Sequence, residues 1–162
     1  MSMPPDRWVV DANVAVKLFV DEPLSREAHA FLAPLKSEAP GRFHVPDFLY
    51  TEATNVFWKY VRRGDMSLAE AVEHLRELRA LALSRARSED LLDSALRLAE
   101  QHDVSAYDAV YLALADQHSV PLVTVDVLLQ RKMRGKKPTV LSLAEALAKA
   151  KAEPGRETAQ GY

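Results

Sequence analysis

Cysteine is absent from this chain. That absence removes disulfide scaffolds, thiolate nucleophiles and cysteine-ligated zinc together, and it fits a reducing compartment. No apolar run approaches the roughly 20 residues that a membrane-spanning helix requires. Met1 to Arg7 lacks the basic-then-apolar order of a secretory signal, so a cytoplasmic protein with no membrane partner is expected. No P-loop, G-x-G-x-x-G turn or G-x-S-x-G elbow is present, which disfavours nucleotide, dinucleotide and serine-hydrolase chemistry. The histidines His29, His44, His74, His102 and His118 include no pair at helical metal-ligand spacing, and exposed or capping roles are expected for each. A large positive excess is lacking as well. The formal charge of −2 argues against indiscriminate coating of nucleic acid and leaves room for a local basic patch.

What is present suffices for one core: 162 residues, 48% hydrophobic and 27% charged, favour a single domain. Trp8-Val9-Val10 predicts a buried strand ending at Asp11, followed by a helix from Ala12 to Val20 and an Asp21-Glu22-Pro23 turn. A helix is predicted from Ser25 to about Lys36, disturbed at its end by Pro34, and a strand at Phe43-His44-Val45. Asp47 is the expected N-cap of a helix stopped by Gly64, and Ser67 to Glu70 forms a capping box for a helix reaching Leu83. Amphipathic Ser88 to Gln101 and almost wholly apolar Ser105 to Asp116 are further helices. Pro121 to Val125 reads as a strand, followed by a short helix through Leu128 and Leu129, a strand at Thr139 to Leu141 and a helix capped by Ser142. Strands alternating with helices imply a parallel sheet covered on both faces. The domain is expected over residues 5–150, with residues 151–162 a disordered tail.

Four acids stand in places where a charge is expensive. Asp11 and Asp126 each end a predicted strand and open a helix, so capping competes with function for both. They share the carboxyl edge of the sheet, where open α/β folds bind ligands. Glu52 falls inside the apolar stripe Leu49, Ala53, Val56 and Tyr60, where a carboxylate needs a cation or a buried arginine. Asp108 is the only charge from Ala106 to Ala115, with no Lys, Arg or His three or four residues away. Brought together, such acids repel by about 4 kcal/mol per pair at 4 Å and an effective dielectric of about 20, so the cluster binds cations or holds protons. Oxygen-only ligands favour Mg²⁺ or Mn²⁺, and two such ions can activate water and steady the leaving oxygen of a phosphodiester.

The segments Val9-Val10-Asp11-Ala12-Asn13-Val14, Pro46-Asp47-Phe48-Leu49-Tyr50-Thr51-Glu52, Tyr107-Asp108-Ala109-Val110-Tyr111-Leu112-Ala113 and Leu122-Val123-Thr124-Val125-Asp126 together resemble the PIN domain. The match is closest to the VapC-like ribonuclease toxins of VapBC toxin–antitoxin systems. It covers roughly residues 7–145, with the motifs in family order. The resemblance implies a three-layer α/β/α sandwich around a parallel sheet and Mg²⁺- or Mn²⁺-dependent cleavage of RNA. By position, Asp11, Glu52, Asp108 and Asp126 would be the catalytic, metal-binding acids. Thr124 would steady the site from behind, and Asn13 matches a small polar position beside the first acid. A cognate antitoxin and a homodimer are the implied protein partners. Helices Phe48–Val61 and Leu68–Leu83 offer apolar faces for either, with packing inside the subunit as the alternative.

Arg131, Lys132, Arg134, Lys136 and Lys137 follow Asp126 closely and suit RNA phosphates, with a solvated basic loop as the alternative. Lys59, Arg62 and Arg63 end the Glu52 helix, where cations favour the dipole in any case. A phosphatase of the haloacid-dehalogenase type wants a second aspartate two residues after the first, where Asn13 stands. An inactive PIN-type binding scaffold and a housekeeping RNA-processing nuclease remain open alternatives.

Overall fold

Trp8, Val9 and Val10 form strand β1 (Trp8–Val10) and all three are buried, as expected of a strand covered on both faces inside a parallel sheet. The computed structural model describes residues 7–37 and 41–152. In it β1 lies between β2 (Phe43–Pro46) and β4 (Leu122–Val123), with β3 (Ser84–Ala86) and β5 (Val140–Leu141) at the edges. The order is β3-β2-β1-β4-β5 and every pairing is parallel, with Val9 in register with His44 on one side and Leu122 on the other. From β1 the chain builds outward to β3, then returns to add β4 and β5 on the other flank. The switch point therefore falls between β1 and β4, at the strand ends that carry Asp11 and Asp126.

Helices α1 (Ala12–Ala15), α2 (Ser25–Leu32), α3 (Phe48–Arg63), α4 (Leu68–Ala80), α5 (Leu92–His102), α6 (Ala106–His118), α7 (Val127–Lys132) and α8 (Leu143–Lys151) connect and cover these strands. Right-handed crossovers place α1 to α4 on one face and α5 and α6 on the other. The packing partners divide the same way: α3 meets α1 and α4, α2 meets α8, and α5 meets α6. This is the predicted three-layer sandwich. Ala109 to Ala115 are all buried, which explains why α6 is apolar all round.

The local signals acted as read at several helix ends. Ser67 with Glu70 and Ser142 with Glu145 form complete capping boxes. Gly64 closes α3 in the left-handed region at φ 81°, where a Cβ is penalised. Other expectations shift. The helix after Asp11 tightens into a 3-10 turn at Val16–Leu18, and the one containing Pro34 does so from Ala33. Helix α4 stops at Ala80, and β4 is only two residues long.

Asp47 stands at the N-cap position of α3 as expected, but its side chain makes no capping hydrogen bond there. Its Oδ1 instead accepts from Ser88 N at 2.9 Å, while Ser88 Oγ accepts from Phe48 N at 3.0 Å. The start of α3 is thus held from the far end of β3, a polar edge strand that gave no apolar signal. His102 is buried rather than exposed, and His44 and His118 meet with ring centroids 4.4 Å apart; β2 and the end of α6 supply a pairing that helical spacing does not. Residues 153–162 of the expected tail lie outside the described residues, and Lys151 still belongs to α8. No helix among the described residues is long and apolar enough to cross a membrane.

One buried cation braces the first crossover. Lys17 is 6% exposed and its Nζ donates to Glu22 Oε1 at 2.7 Å, while Tyr60 Oη of α3 donates to Glu22 Oε2 at 2.7 Å. Burial would raise the Glu22 carboxyl, but the Lys17 and Tyr60 hydrogen bonds outweigh it and hold the carboxyl below its ordinary value. Because the folded value is depressed, this stabilisation is present above the unfolded carboxyl's titration and is lost as pH falls through the folded one. Glu22→Ala strands the ammonium and is expected to cost about 2–4 kcal/mol in urea unfolding at pH 7. Lys17→Met is expected to cost less than about 1 kcal/mol, because its partner is partly solvated.

Candidate active site

The main chain of Asp11 is still part of the sheet: it is extended, and its N–H donates to Val123 O at 3.1 Å. Its side chain makes no capping hydrogen bond to α1, which removes the structural alternative for this acid. The residue is 6% exposed and Oδ2 accepts from Thr124 Oγ1 at 2.8 Å. Burial pushes the carboxyl up to about 7; the Thr124 hydrogen bond opposes the rise, and the nearby charges of Glu52 and Asp108 add to it.

Glu52 and Asp108 approach from opposite layers, on α3 and α6. Among the described residues no arginine pairs with Glu52. Its Oε1 instead accepts from Tyr111 Oη at 2.5 Å. Burial raises the Glu52 carboxyl; the Tyr111 hydrogen bond lowers it and the Asp108 charge raises it again. Tyr111 is buried, and its phenol is pushed well above its ordinary value by burial and by the Asp11 and Glu52 charges. It therefore stays protonated and donates. Sequence reasoning assigned Tyr111 no role. The available signal was a hydroxyl in an otherwise apolar run, one turn from Asp108.

Asp108 sits in the first turn of α6, its N–H capped by Ser105 Oγ at 3.1 Å. Burial raises its carboxyl, Ser105 lowers it, Asp126 raises it and Lys132 lowers it. The cation missing from its own helix thus comes from α7. Lys132 also donates to the Asp103 carbonyl and lies 3.6 Å from the Asp103 carboxylate.

The two strand ends are tied by Thr124, which is fully buried. Its Oγ1 donates to Asp11 and accepts from Asn13 Nδ2 at 3.0 Å and from Asp126 N at 3.1 Å. Asn13 Oδ1 accepts from Val125 N at 3.2 Å. Asp126 does cap α7, its Oδ1 accepting from Leu128 N at 2.9 Å and Leu129 N at 3.1 Å. For this acid the capping and functional readings coexist.

Asp11, Glu52, Asp108 and Asp126 therefore share one field at the switch point, each linked to at least one other through its charge. Among the described residues no three Asp, Glu or His side chains close into a ligand set. The donors are all carboxylate oxygens, the ligand chemistry of a hard divalent cation, and burial works against the charge of Asp11 with no cation beside it. Of the basic residues after Asp126, Arg131, Arg134, Lys136 and Lys137 are exposed, and only Lys132 reaches the acids.

The Asp11 carboxyl titrates near 7 when folded, against an ordinary 3.8. The folded state holds this proton more tightly, so stability falls as pH rises between those values. In EDTA at pH 8, Asp11→Asn should raise Tm by roughly 3–10 °C, with the gain vanishing near pH 4. A fall in Tm at pH 8 would show that Asp11 is not held against its charge.

The profile of the PIN domain matches residues 8–134. Ribonuclease VapC3 of Pyrobaculum aerophilum is 34% identical over 128 residues, which cover 78% of this chain and 94% of that protein. A Pyrobaculum aerophilum protein of known crystal structure superposes with a TM-score of 0.68 at 24% identity, over 91% of this chain and 96% of that one. VapBC2 from Rickettsia felis, solved bound to a DNA fragment from its promoter, gives a TM-score of 0.57 at 12% identity, over 83% and 97%. At those identities the two structures speak for the fold alone. With the profile spanning every acid of the site, the chain belongs to the PIN domain family.

Proposed function

We propose that this protein is a divalent-cation-dependent endoribonuclease, the toxin of a toxin–antitoxin pair, which hydrolyses RNA at Asp11, Glu52, Asp108 and Asp126. The observation that carries this reading is the buried Asp11 carboxyl, pushed to about 7 at the switch point with Glu52 and Asp108 facing it. A fold does not ordinarily maintain that arrangement for stability. RNA as substrate is supported by the ribonuclease relative and by the exposed basic run after Asp126.

Bound Mg²⁺ or Mn²⁺ would supply an acidified water and charge relief on the leaving oxygen. The chain's own groups have separate tasks. Thr124 fixes Asp11, and Asn13 locks the β1 and β4 ends together, so the acid edge is rigid. Tyr111 anchors Glu52 through Oε1, which leaves Oε2 to orient the attacking water and take its proton. Burial that raises the Glu52 carboxyl suits it to that exchange. In-line attack would leave 5′-phosphate and 3′-hydroxyl ends.

A small antitoxin is the proposed partner, and a homodimer the proposed assembly. Support comes from exposed Trp58, Leu68 and Val72 on α3 and α4, and a structural neighbour from Klebsiella pneumoniae with the same fold was solved as a toxin–antitoxin complex. The open spacing of the acids favours one rival, a binding module without turnover. Mn²⁺ titration followed by thermal unfolding, alongside a cleavage assay, separates them: the rival predicts no cleavage at any Mn²⁺ concentration.

Asp11→Ala and Asp108→Ala are each expected to lower Mg²⁺-dependent RNA cleavage by at least about 100-fold with the circular dichroism spectrum unchanged, and EDTA should abolish it in the unaltered protein. Expression without a partner should arrest growth, and Asp11→Ala should relieve the arrest. Unchanged cleavage in both variants sinks the assignment.

A further inference from the structure

Two aromatic rings stand at the rim of the acid cluster with no role in holding it. Tyr107, immediately before Asp108, is 66% exposed. Its ring stacks nearly flat on Phe48, at a centroid distance of 5.6 Å and an interplanar angle of 13°. Phe48 opens α3, four residues before Glu52. At about 1.5 Å of rise per residue the two lie about 6 Å apart along that helix. Tyr107 lies one turn before Tyr111 and on the same face of α6. The inner tyrosine is buried and bonded to Glu52, and the outer one is exposed to solvent.

Covering Phe48 does not require this residue. A leucine would shield that face without an exposed polar ring, whereas a flat, half-covered tyrosine presents its second π-face to solvent. Bases of a single strand seek such a surface, because every base has a face to stack. Tyr107 directly precedes Asp108 in α6, so a base stacked on its ring would belong to the strand whose phosphate the acids would handle.

We infer that Tyr107, backed by Phe48, is a stacking platform for an unpaired base of RNA beside the phosphate held at the acids, and so sets strand preference and register. The inference rests on the ribonuclease reading and adds a binding determinant to it. It implies a preference for single-stranded over duplex RNA, since a paired base has no free face for the ring.

The test uses the full-length protein and a single-stranded oligoribonucleotide carrying 2-aminopurine at successive positions, with Ca²⁺ replacing Mg²⁺ so that binding is read without turnover. At one position the fluorescence should be quenched on binding. Tyr107→Leu should abolish that quench and weaken binding about 5- to 100-fold, and Tyr107→Phe should retain both. An abasic nucleotide at the same position should weaken binding to the unaltered protein and make no further difference to Tyr107→Leu. In Mg²⁺, the loss in Tyr107→Leu should fall mainly on KM. If Tyr107→Leu binds, quenches and cleaves as the unaltered protein does, the platform is wrong and the ribonuclease reading survives. If the unaltered protein neither binds nor cleaves the strand, both fall.

Discussion

The hydroxyl of Thr124 is the point on which the acid edge depends. It has one proton to give, and it gives it to the buried Asp11 carboxylate; its lone pairs take N–H groups from Asn13 and Asp126. Two of these contacts fasten the ends of β1 and β4, the two strands where the winding of the sheet reverses direction, and the third holds the β4 end itself. A parallel sheet leaves a crevice at such a reversal, and here the crevice is closed at its base by one threonine. The same contact also tempers the cost of holding Asp11 out of water, offsetting part of the penalty that burial imposes.

Much of this site was legible because burial and charge conflict visibly in one dimension. A lone Asp108 in an apolar helix and Glu52 on an apolar stripe announce an expense, and in the folded chain both carboxyls are raised by burial. Helix ends were legible where their chemistry is local, as at Ser67, Ser142 and Gly64. What escaped was whatever depends on distant partners. Ser88 supports the start of α3 across 40 residues of chain, Tyr111 reaches Glu52 across 59, and His44 finds His118 only once β2 and α6 pack. Strand β3 gave no alternation because it is a polar edge held by one neighbour. Asp47 misled for the same reason: a carboxylate at a helix start caps by default, yet a better donor at Ser88 took it.

The four acids also show how one motif set spans several structural duties. Asp126 caps a helix and contributes charge to the cluster, Asp108 is itself capped and balanced by Lys132, and Glu52 leans on a phenol. Asp11 is the most deeply buried of the four, and burial outweighs the Thr124 hydrogen bond that supports it. Among the described residues no cation offsets its charge, and Glu52 and Asp108 add to the repulsion.

The contact between Thr124 and Asp11 joins residues 113 positions apart, and this has a consequence for synthesis. A ribosome releases Asp11, Glu52 and Asp108 well before it releases β4. Until β4 emerges, the first acid lacks its hydrogen-bond donor and its strand lacks a neighbour on that flank. Closure of so long a loop comes late in folding, after local helices have formed. A nascent chain therefore carries three of the acids before the edge that joins β1 to β4 is assembled.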